Sequence, residues 1–188
     1  MRTCIVGGSI AGCSAAVELC RAGHEVTVLE RSRGGLTGRG AGIGTTTETL
    51  ATLIDRDLVD ADVPRFVASD LRLVGRRYAA DRYGHSALTL PLNMALLNWG
   101  DLWRQLRSRV PDEVYEQGRA VVEVAQDGEQ VGVTAGDGWC QEFDLVLFAD
   151  GYRSLGRRTL FREPDLAYRG YVLWRGVLPE ERVGETDP

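Results

Sequence analysis

The chain has 188 residues, which is long enough to bury one hydrophobic core and to form one domain with part of another. Its apolar fraction of 44% and charged fraction of 26% are ordinary for a packed globular protein and exclude a disordered chain. The formal net charge of −5 argues against nucleic acid and anionic membrane surfaces as partners, because positively charged surfaces bind both. We therefore expect the protein to act on a small molecule.

The amino terminus leads directly into an apolar run, without a basic leader or a long hydrophobic segment. We therefore expect a cytoplasmic protein with no membrane span. The cysteines lie in apolar runs and have no Cys-x-x-Cys spacing, so we expect buried reduced thiols and neither a disulfide nor a metal site. They are Cys4, Cys13, Cys20 and Cys140.

The start of the chain predicts a strand, a turn, a helix and a second strand. Residues 2–6 are apolar, residues 11–22 have apolar positions at helical spacing and stop at Gly23, and residues 24–30 form a second short strand pattern. A crossover of this kind joins parallel strands, so the pattern predicts a β-α-β unit and a parallel sheet.

The following residues predict a mixture of helices and strands. Residues 31–44 are rich in glycine and arginine and indicate a long loop, whereas residues 47–56 and 99–110 show helical periodicity. Residues 66–78 alternate as a strand that reaches another layer. Strand-like stretches between residues 114 and 147, separated by Asp-Gly turns, predict a β-meander. Residues 143–149 predict a buried strand, and residues 166–178 predict a further extended segment.

A glycine-rich turn between the first strand and the first helix is the strongest local signal. Backbone N–H groups at the start of such a helix can bind the pyrophosphate of a dinucleotide. Gly7 would permit the tight turn and Gly12 the close packing of helix against strand, while Ser9 offers a hydroxyl where a middle glycine is usual. The candidate site comprises the whole turn, namely Gly7, Gly8, Ser9, Ile10, Ala11 and Gly12.

An acidic residue follows at the place that dinucleotide-binding folds require. Glu30 ends the second predicted strand, where a carboxylate can accept hydrogen bonds from ribose hydroxyls. A glycine turn alone is a weak signal, because such turns also serve purely structural purposes. Its combination with Glu30 favours a dinucleotide site, and the alternative is a solvated carboxylate at the end of a strand.

A second motif makes this interpretation more specific. Asp150 and Gly151 follow the predicted apolar strand and begin the pattern D-G-x-x-S-x-x-R, which ends at Arg157. Together with the glycine turn and Glu30, this segment resembles the FAD-dependent aromatic hydroxylases of the para-hydroxybenzoate hydroxylase type. In that family the segment serves both FAD and the pyridine nucleotide, which implies that Asp150 and Gly151 lie near the pyrophosphate.

The resemblance runs through nearly the whole chain and is greatest to the branch that contains 2,6-dihydroxypyridine 3-hydroxylase. Besides the glycine turn, residues 38–43, 99–106 and 170–177 carry it. It implies FAD contacts from the turn, Glu30, Arg31 and Arg39, with Arg39 neutralising phosphate charge, and adenine contacts from the backbone at Val122. For Arg31 and Arg39 the alternative is a solvated surface position. The side chain of Val122 is expected in the core, and no catalytic residue is assigned.

The implied fold is α/β: a Rossmann-like FAD/NAD(P)-binding domain with a parallel sheet and a β-meander, plus the start of a mixed-sheet substrate domain. We place the FAD-binding domain at residues 1–165, with part of the substrate-domain sheet inserted around residues 66–98. Residues 166–188 would begin a truncated substrate domain. Such enzymes are roughly twice as long by the sizes of their domains, and their Gly-Asp signature has no match here, so we expect an N-terminal fragment.

The implied activity is hydroxylation of an aromatic or hydroxypyridine-like ring. By this resemblance, NAD(P)H would reduce FAD, oxygen would add to the reduced flavin, and the flavin hydroperoxide would deliver the hydroxyl group. The expected partners are a small aromatic substrate and either a second copy of the chain or a complementary C-terminal half.

Three alternatives stay open. One is another FAD oxidoreductase of the same fold, such as an epoxidase or a halogenase, although a halogenase is expected to carry a catalytic lysine, which this chain lacks. Another is an NAD-binding dehydrogenase, which the Asp-Gly motif disfavours. The last is a non-catalytic fragment that binds only the ADP moiety or a partner chain.

Overall fold

The computed structural model describes residues 1–38, 42–78, 84–161 and 167–172. In chain order its elements are β1 (Arg2–Val6), α1 (Ile10–Arg21), β2 (Glu25–Glu30), β3 (Gly42–Thr46), α2 (Thr47–Asp55), β4 (Arg65–Gly75), β5 (His85–Asn98), α3 (Trp99–Arg107), a 3₁₀ helix (Asp112–Val114), β6 (Tyr115–Gln117), β7 (Val121–Asp127), β8 (Gln130–Ala135), β9 (Cys140–Phe143), β10 (Leu145–Phe148), a second 3₁₀ helix (Gly151–Arg153) and α4 (Leu155–Phe161). Among the helices of those described ranges, none has both the length and the apolar composition that a membrane span requires.

A four-stranded parallel sheet forms the centre of the fold. Its strand order is β10-β1-β2-β6, and each neighbouring pair is parallel. Val6, at the end of β1, pairs with Leu29 of β2 on one side and with Phe148 of β10 on the other. The carboxyl ends of three adjacent strands therefore meet at one edge of the sheet.

Helix α1 packs against this sheet through a face of small side chains. Gly12, Cys13, Ala16 and Val17 are its buried residues, and they recur at the three- and four-residue spacing of one helix face. Small side chains let the helix approach the sheet closely, so the loop that precedes the helix is held near the strand ends. The core behind it contains these buried residues of the sheet and of α3: Ile5, Val26, Val28, Leu102, Trp103 and Leu106.

Two antiparallel sheets complete the described structure. The first, which we call the hairpin sheet, has the order β3-β5-β4, and the second is the meander β7-β8-β9. The long pair β4–β5 leaves apolar side chains in solvent; Phe66, for example, is 68% exposed and Leu73 46% exposed. So many exposed apolar side chains on two neighbouring strands are typical of a surface that packs against further protein.

The predicted α/β class, with a parallel sheet and a β-meander, is confirmed. The predicted helices near residues 47–56 and 99–110 are also present, although α3 ends at Arg107. The domain boundaries at residues 1–165 and 166–188, with the insertion around residues 66–98, stay a prediction. Of the extended segment predicted at residues 166–178, residues 167–172 contain no strand, and the remaining residues lie outside the described ranges.

Several predicted elements differ from the structure. The loop predicted at residues 31–44 is wrong at its end, because β3 pairs there with β5 from Gly42 opposite Asn98 onward. Strand β6 joins β2 in the parallel sheet and is not part of the meander. The strand predicted at residues 143–149 divides at Asp144, since β9 ends in the meander and β10 begins in the parallel sheet. Its residues in β10 are half-buried.

The thiols also differ in part from expectation. All four cysteines are free, and Cys4 and Cys13 are buried as predicted. Cys140 is exposed, and Cys20 is only partly covered. Cys140 lies at the start of β9, a strand on the edge of the meander, so its apolar neighbours in the sequence do not determine its burial.

Candidate functional site

The turn between β1 and α1 has no room for side chains at its glycines. Gly7 has a φ of +102°, in the left-handed region, and a Cβ atom there would lie 2.5 Å from the carbonyl oxygen of Ala149. A Cβ atom on Gly12 would lie 1.8 Å from the carbonyl oxygen of Gly7. Both contacts are with backbone atoms, which cannot move aside. The chain therefore needs glycine at both positions to bring helix, turn and β10 together.

The first turn of α1 presents backbone donors at this edge. The first helical hydrogen bond runs from Cys13 N–H to the carbonyl oxygen of Ser9, at 2.8 Å, so the preceding N–H groups have no acceptor within the helix. Ser9 is the N-cap residue, and its hydroxyl makes no capping hydrogen bond. Free amides and the positive end of the helix dipole favour an anion such as phosphate. The amides in question are those of Ser9, Ile10, Ala11 and Gly12.

Gly8 is held through both of its backbone polar groups. Its N–H donates to Oε2 of Glu30 at 2.9 Å. Its carbonyl oxygen accepts from the hydroxyl of Tyr115 at 2.8 Å, from the indole Nε1–H of Trp103 at 3.0 Å and from the thiol of Cys13 at 3.3 Å. All four bonds are buried, so the core fixes the orientations of the two peptide groups that flank Gly8.

Glu30 is a buried charged residue with defined partners. Its side chain accepts from Gly8 N–H and, through Oε1, from Ser32 N–H at 2.8 Å. Two oxygens of a carboxylate can accept about four hydrogen bonds, so capacity remains for ribose hydroxyls. The carbonyl oxygen of Glu30 also accepts from Arg119 N–H at 3.0 Å, which brings the start of β7 to this strand end. Arg31, the next residue, is exposed.

The second motif lies directly beside the glycine turn. Ala149 N–H donates to the carbonyl oxygen of Val6 at 2.8 Å, which continues the pairing of β10 with β1. Oδ2 of Asp150 accepts from Leu155 N–H at 2.6 Å and so caps the start of α4. Its other oxygen, Oδ1, is buried and has no hydrogen-bond partner in the described structure. Gly151 has a φ of +79°, which a residue other than glycine rarely adopts.

A surface cavity of about 470 Å³ is lined mainly by the end of β10, the second motif and α4, and Ala11 is its one lining residue from the glycine turn. Ala11 of the glycine turn and both Asp150 and Gly151 line it. A buried carboxylate oxygen without a partner costs free energy unless a ligand donor satisfies it. The unsatisfied Oδ1 of Asp150, the open helix amides and the glycine turn together fit a ligand with a pyrophosphate and sugar hydroxyls.

Val122 differs in part from its predicted environment. Its side chain is 54% exposed, so the expected position in the core is wrong. The β7–β8 register is interrupted between Val121 and Glu123, which leaves Val122 without a partner in the ladder. The predicted adenine contact through the backbone of Val122 stays a prediction. Arg39, the remaining predicted site residue, lies outside the described residues.

Sequence reasoning missed the two aromatic donors to Gly8. Trp103 is separated from Gly8 by 95 positions and Tyr115 by 107. Trp103 lies on the buried face of α3, and Tyr115 begins a three-residue strand, so both patterns indicate only core packing. Burial raises the pKa of Tyr115 well above its usual range, so this hydroxyl stays protonated and acts as a donor. No local signal in the sequence identifies either residue as part of the site.

Comparisons with known proteins found a family model and several relatives that match this chain. A family model described as FAD dependent oxidoreductase matches residues 2–176. The 2,6-dihydroxypyridine 3-monooxygenase of Paenarthrobacter nicotinovorans is 33% identical over 185 residues, which cover 98% of this chain and 45% of that protein. The 3-amino-4-hydroxybenzoate 2-monooxygenase of Streptomyces cremeus is 31% identical, and the match covers 97% of this chain and 48% of that protein. The chain thus spans about half the length of these relatives.

Solved structures show the same fold. The 2,6-dihydroxypyridine-3-hydroxylase from Arthrobacter nicotinovorans superimposes with a TM-score of 0.74 and 30% identity, over 86% of this chain and 40% of that one. A variant of HpxO from Klebsiella pneumoniae, complexed with FAD, has a TM-score of 0.64 and 23% identity over 85% of this chain and 42% of that one, which supports the fold alone. The resemblance inferred from the sequence motifs is confirmed. Because the family model matches nearly the whole chain, whose two motifs meet at one sheet edge, the chain belongs to the FAD dependent oxidoreductase family.

Proposed function

We propose that these residues form the nucleotide-binding part of an FAD-dependent monooxygenase that uses NAD(P)H to hydroxylate an aromatic or hydroxypyridine-like ring. The observation that carries the proposal is the meeting of the glycine turn, Glu30 and Asp150 at the carboxyl ends of β1, β2 and β10. Ligands of parallel sheets bind at such an edge. The relatives that act on dihydroxypyridine and aminohydroxybenzoate support the substrate class.

Each part of the site has a proposed role toward FAD. The amides of Ser9 to Gly12 and the Ser9 hydroxyl would bind the pyrophosphate, and Arg31 and Arg39 would balance its charge. Glu30 would accept from the ribose hydroxyls. The chemistry that bound FAD would supply is hydride transfer from NAD(P)H and activation of oxygen.

Two further sets of contacts complete the proposed site. The backbone at Val122, at the interrupted register of β7, would bind adenine. Asp150 would accept a hydroxyl donor through its unsatisfied Oδ1, and Gly151 would let the backbone approach the pyrophosphate. The proposed enzyme is cytoplasmic, and its ring substrate would bind beyond these contacts, where we assign no catalytic residue.

A second proposal concerns the partner of the hairpin sheet. Leu71 pairs with Leu90 and Leu73 with Leu88, and all four side chains are at least two-fifths exposed. Burial of such a surface would contribute roughly 25 cal/mol per Å². We propose that a complementary C-terminal half covers it, and that a homodimer is the alternative. Sedimentation analysis of the chain, alone and mixed with the second half of a relative, distinguishes a homodimer from a complex with that half.

Titration calorimetry with three ligands tests the proposed cofactor. If the site binds the ADP end of FAD, both FAD and ADP will bind to the same site, and FMN, which lacks that end, will not. Binding of FMN without ADP would contradict the proposed roles of the glycine turn and Glu30. If FAD binds and ADP does not, the FAD site does not include the glycine turn and Glu30.

The oxygenase part of the proposal has its own test. The FAD-loaded chain, with and without a complementary half, is supplied with NADH or NADPH and a hydroxypyridine. The expected result is ring-dependent consumption of the nicotinamide and a product that carries oxygen from O₂. Consumption without any hydroxylated product, in the complemented protein, would favour a different FAD oxidoreductase.

A further inference from the structure

The carbonyl oxygen of Gly8 faces the core, where three side chains donate to it. The donors come from three different parts of the chain: Cys13 in α1, Trp103 in α3 and Tyr115 in β6. The two aromatic bonds, at 3.0 and 2.8 Å, have the usual length of good hydrogen bonds. This oxygen therefore has more donors than most peptide carbonyls, and all three donors are buried side chains.

The geometry of the peptide group connects this carbonyl to the site. In a planar trans peptide, the C=O of one residue and the N–H of the next point in opposite directions. An inward carbonyl of Gly8 therefore turns the N–H of Ser9 outward, to the side where the first turn of α1 opens. The N–H of Ser9 precedes the first helical hydrogen bond, which Cys13 N–H makes to the carbonyl oxygen of Ser9.

The aromatic donors are themselves fixed. The guanidinium of Arg107 lies 4.1 Å from the centre of the Tyr115 ring. Arg107 is in turn held by the carbonyl oxygen of Val110 at 2.8 Å and by Asp112 Oδ1 at 2.6 Å. A Cβ atom on Gly8 would lie 2.2 Å from the Tyr115 hydroxyl oxygen, so the close approach of this hydroxyl depends on the glycine.

We propose that Trp103 and Tyr115 are positioning residues for the cofactor pyrophosphate, because they hold the Gly8 carbonyl inward and so aim the Ser9 N–H at a phosphate oxygen. The inference rests on the proposed nucleotide site and adds the two residues that orient its first donor. Neither side chain touches the nucleotide. Their effect on binding passes through a single peptide group.

The test uses Tyr115→Phe and Trp103→Phe, with ADP as the probe. Tyr115→Phe removes one hydroxyl and keeps the ring beneath Arg107, so the fold should persist even if Trp103→Phe destabilises it. Tyr78→Phe and Trp139→Phe are matched controls, since Tyr78 is 75% exposed and Trp139 packs on Phe143 in the meander. Amide NMR spectra report the Ser9 N–H, and calorimetry reports the affinity.

In the wild type, ADP should move the Ser9 amide proton resonance downfield, as expected for an N–H that donates to phosphate. Each aromatic substitution should reduce that shift and weaken ADP binding about fivefold, which corresponds to one ordinary hydrogen bond. The control variants should change neither the ADP-induced shift at Ser9 nor the ADP affinity. A purely structural role would lower the unfolding midpoint and leave the ADP-induced shift at Ser9 intact.

Two outcomes would overturn the proposal, and they distinguish failure of the positioning role from failure of the nucleotide site. If Tyr115→Phe and Trp103→Phe bind ADP as the wild type does, with an unchanged Ser9 shift, the positioning role is wrong and the nucleotide site stands. If the wild type binds neither ADP nor FAD, the nucleotide site itself is wrong for this chain, and the positioning role is wrong with it.

Discussion

The side chain of Glu30 and the N–H of Gly8 form a buried hydrogen bond of 2.9 Å that joins the end of β2 to the glycine turn. The same carboxylate accepts from Ser32 N–H, so one residue fixes the turn and the start of the following loop. Bonds from neutral donors to an ionised acceptor are stronger than bonds between neutral groups. Glu30 therefore supports the site structurally in addition to its proposed contact with ribose.

Glu30→Gln should separate these two contributions. The amide offers one oxygen to two backbone donors, so the free energy of unfolding should fall by about 1–2 kcal/mol. ADP affinity should also fall, because a neutral oxygen accepts ribose hydroxyls more weakly. Glu25→Gln, at the exposed start of the same strand, is the matched control and should change neither quantity. Chemical denaturation and calorimetry measure both, and unchanged ADP affinity would remove Glu30 from the ligand contacts.

Asp150→Ala should weaken FAD binding more than it weakens the fold. The substitution removes the cap on Leu155 N–H, which costs about 1 kcal/mol, and it also removes the unsatisfied Oδ1 that we assign to the ligand. Asp144→Ala is the control, since Asp144 Oδ2 accepts from Arg2 N–H at 2.7 Å at the opposite end of the strands. Equal losses of stability and FAD affinity in Asp150→Ala would indicate a structural role only.

The cysteines should differ sharply in their reactivity. Burial raises the pKa of both Cys4 and Cys13 to about 12, so neither forms the reactive thiolate at mildly alkaline pH. Cys140, which is exposed, should be alkylated first. In the unfolded chain these thiols have a pKa of about 8.5, so the unfolded state loses protons that the folded state retains, and the free energy of unfolding should fall as the pH rises above that value. Mass spectrometry after pulsed alkylation checks the order, which early labelling of Cys13 would contradict.

Arg109 should contribute stability that disappears in acid. Its guanidinium donates to Asp60 and to the carbonyl oxygen of Asp57, and its hydrogen bond to Asp60 lowers the pKa of that carboxyl group. A lowered folded pKa stabilises the protein above the pKa of the unfolded chain, and the effect is lost as the pH falls through the folded value. The deficit of Arg109→Gln in urea unfolding should therefore shrink on acidification. The exposed Arg158→Gln should show no such dependence, and a pH-independent deficit at Arg109 would assign its effect to packing.

Local patterns in the sequence predicted the parts of the fold that local forces determine. The β-α-β unit follows from an apolar run, a glycine turn and a helix with small buried residues, and the Asp-Gly turns mark the meander. The same signals brought the glycine turn and Glu30 into the candidate site, and the family resemblance added Asp150. The β-α-β pattern itself implies that the ends of β1 and β2 are adjacent, whereas the place of β10 beside β1 comes from pairing between distant segments.

Contacts between distant residues were beyond that reasoning. Strand β3, from Gly42 to Thr46, has two glycines and no apolar alternation, and its pairing with β5 determines its conformation. Strand β6 has three residues, too few for a periodic pattern. The bonds from Trp103 and Tyr115 to Gly8 depend on the packing of α3 and β6 against the turn, and no motif encodes that packing.

The measurement that tests the central claim most directly is co-elution of flavin absorbance with the protein after incubation with FAD and gel filtration, for the wild type and for Gly12→Val. A side chain at Gly12 would meet the Gly7 carbonyl oxygen, whereas Gly75→Ala places a methyl group in open space and serves as the control. Our account predicts flavin with the wild type and with Gly75→Ala, and none with a folded Gly12→Val. Flavin retained by Gly12→Val, or absent from the wild type, would contradict the assignment of the glycine turn as the FAD site.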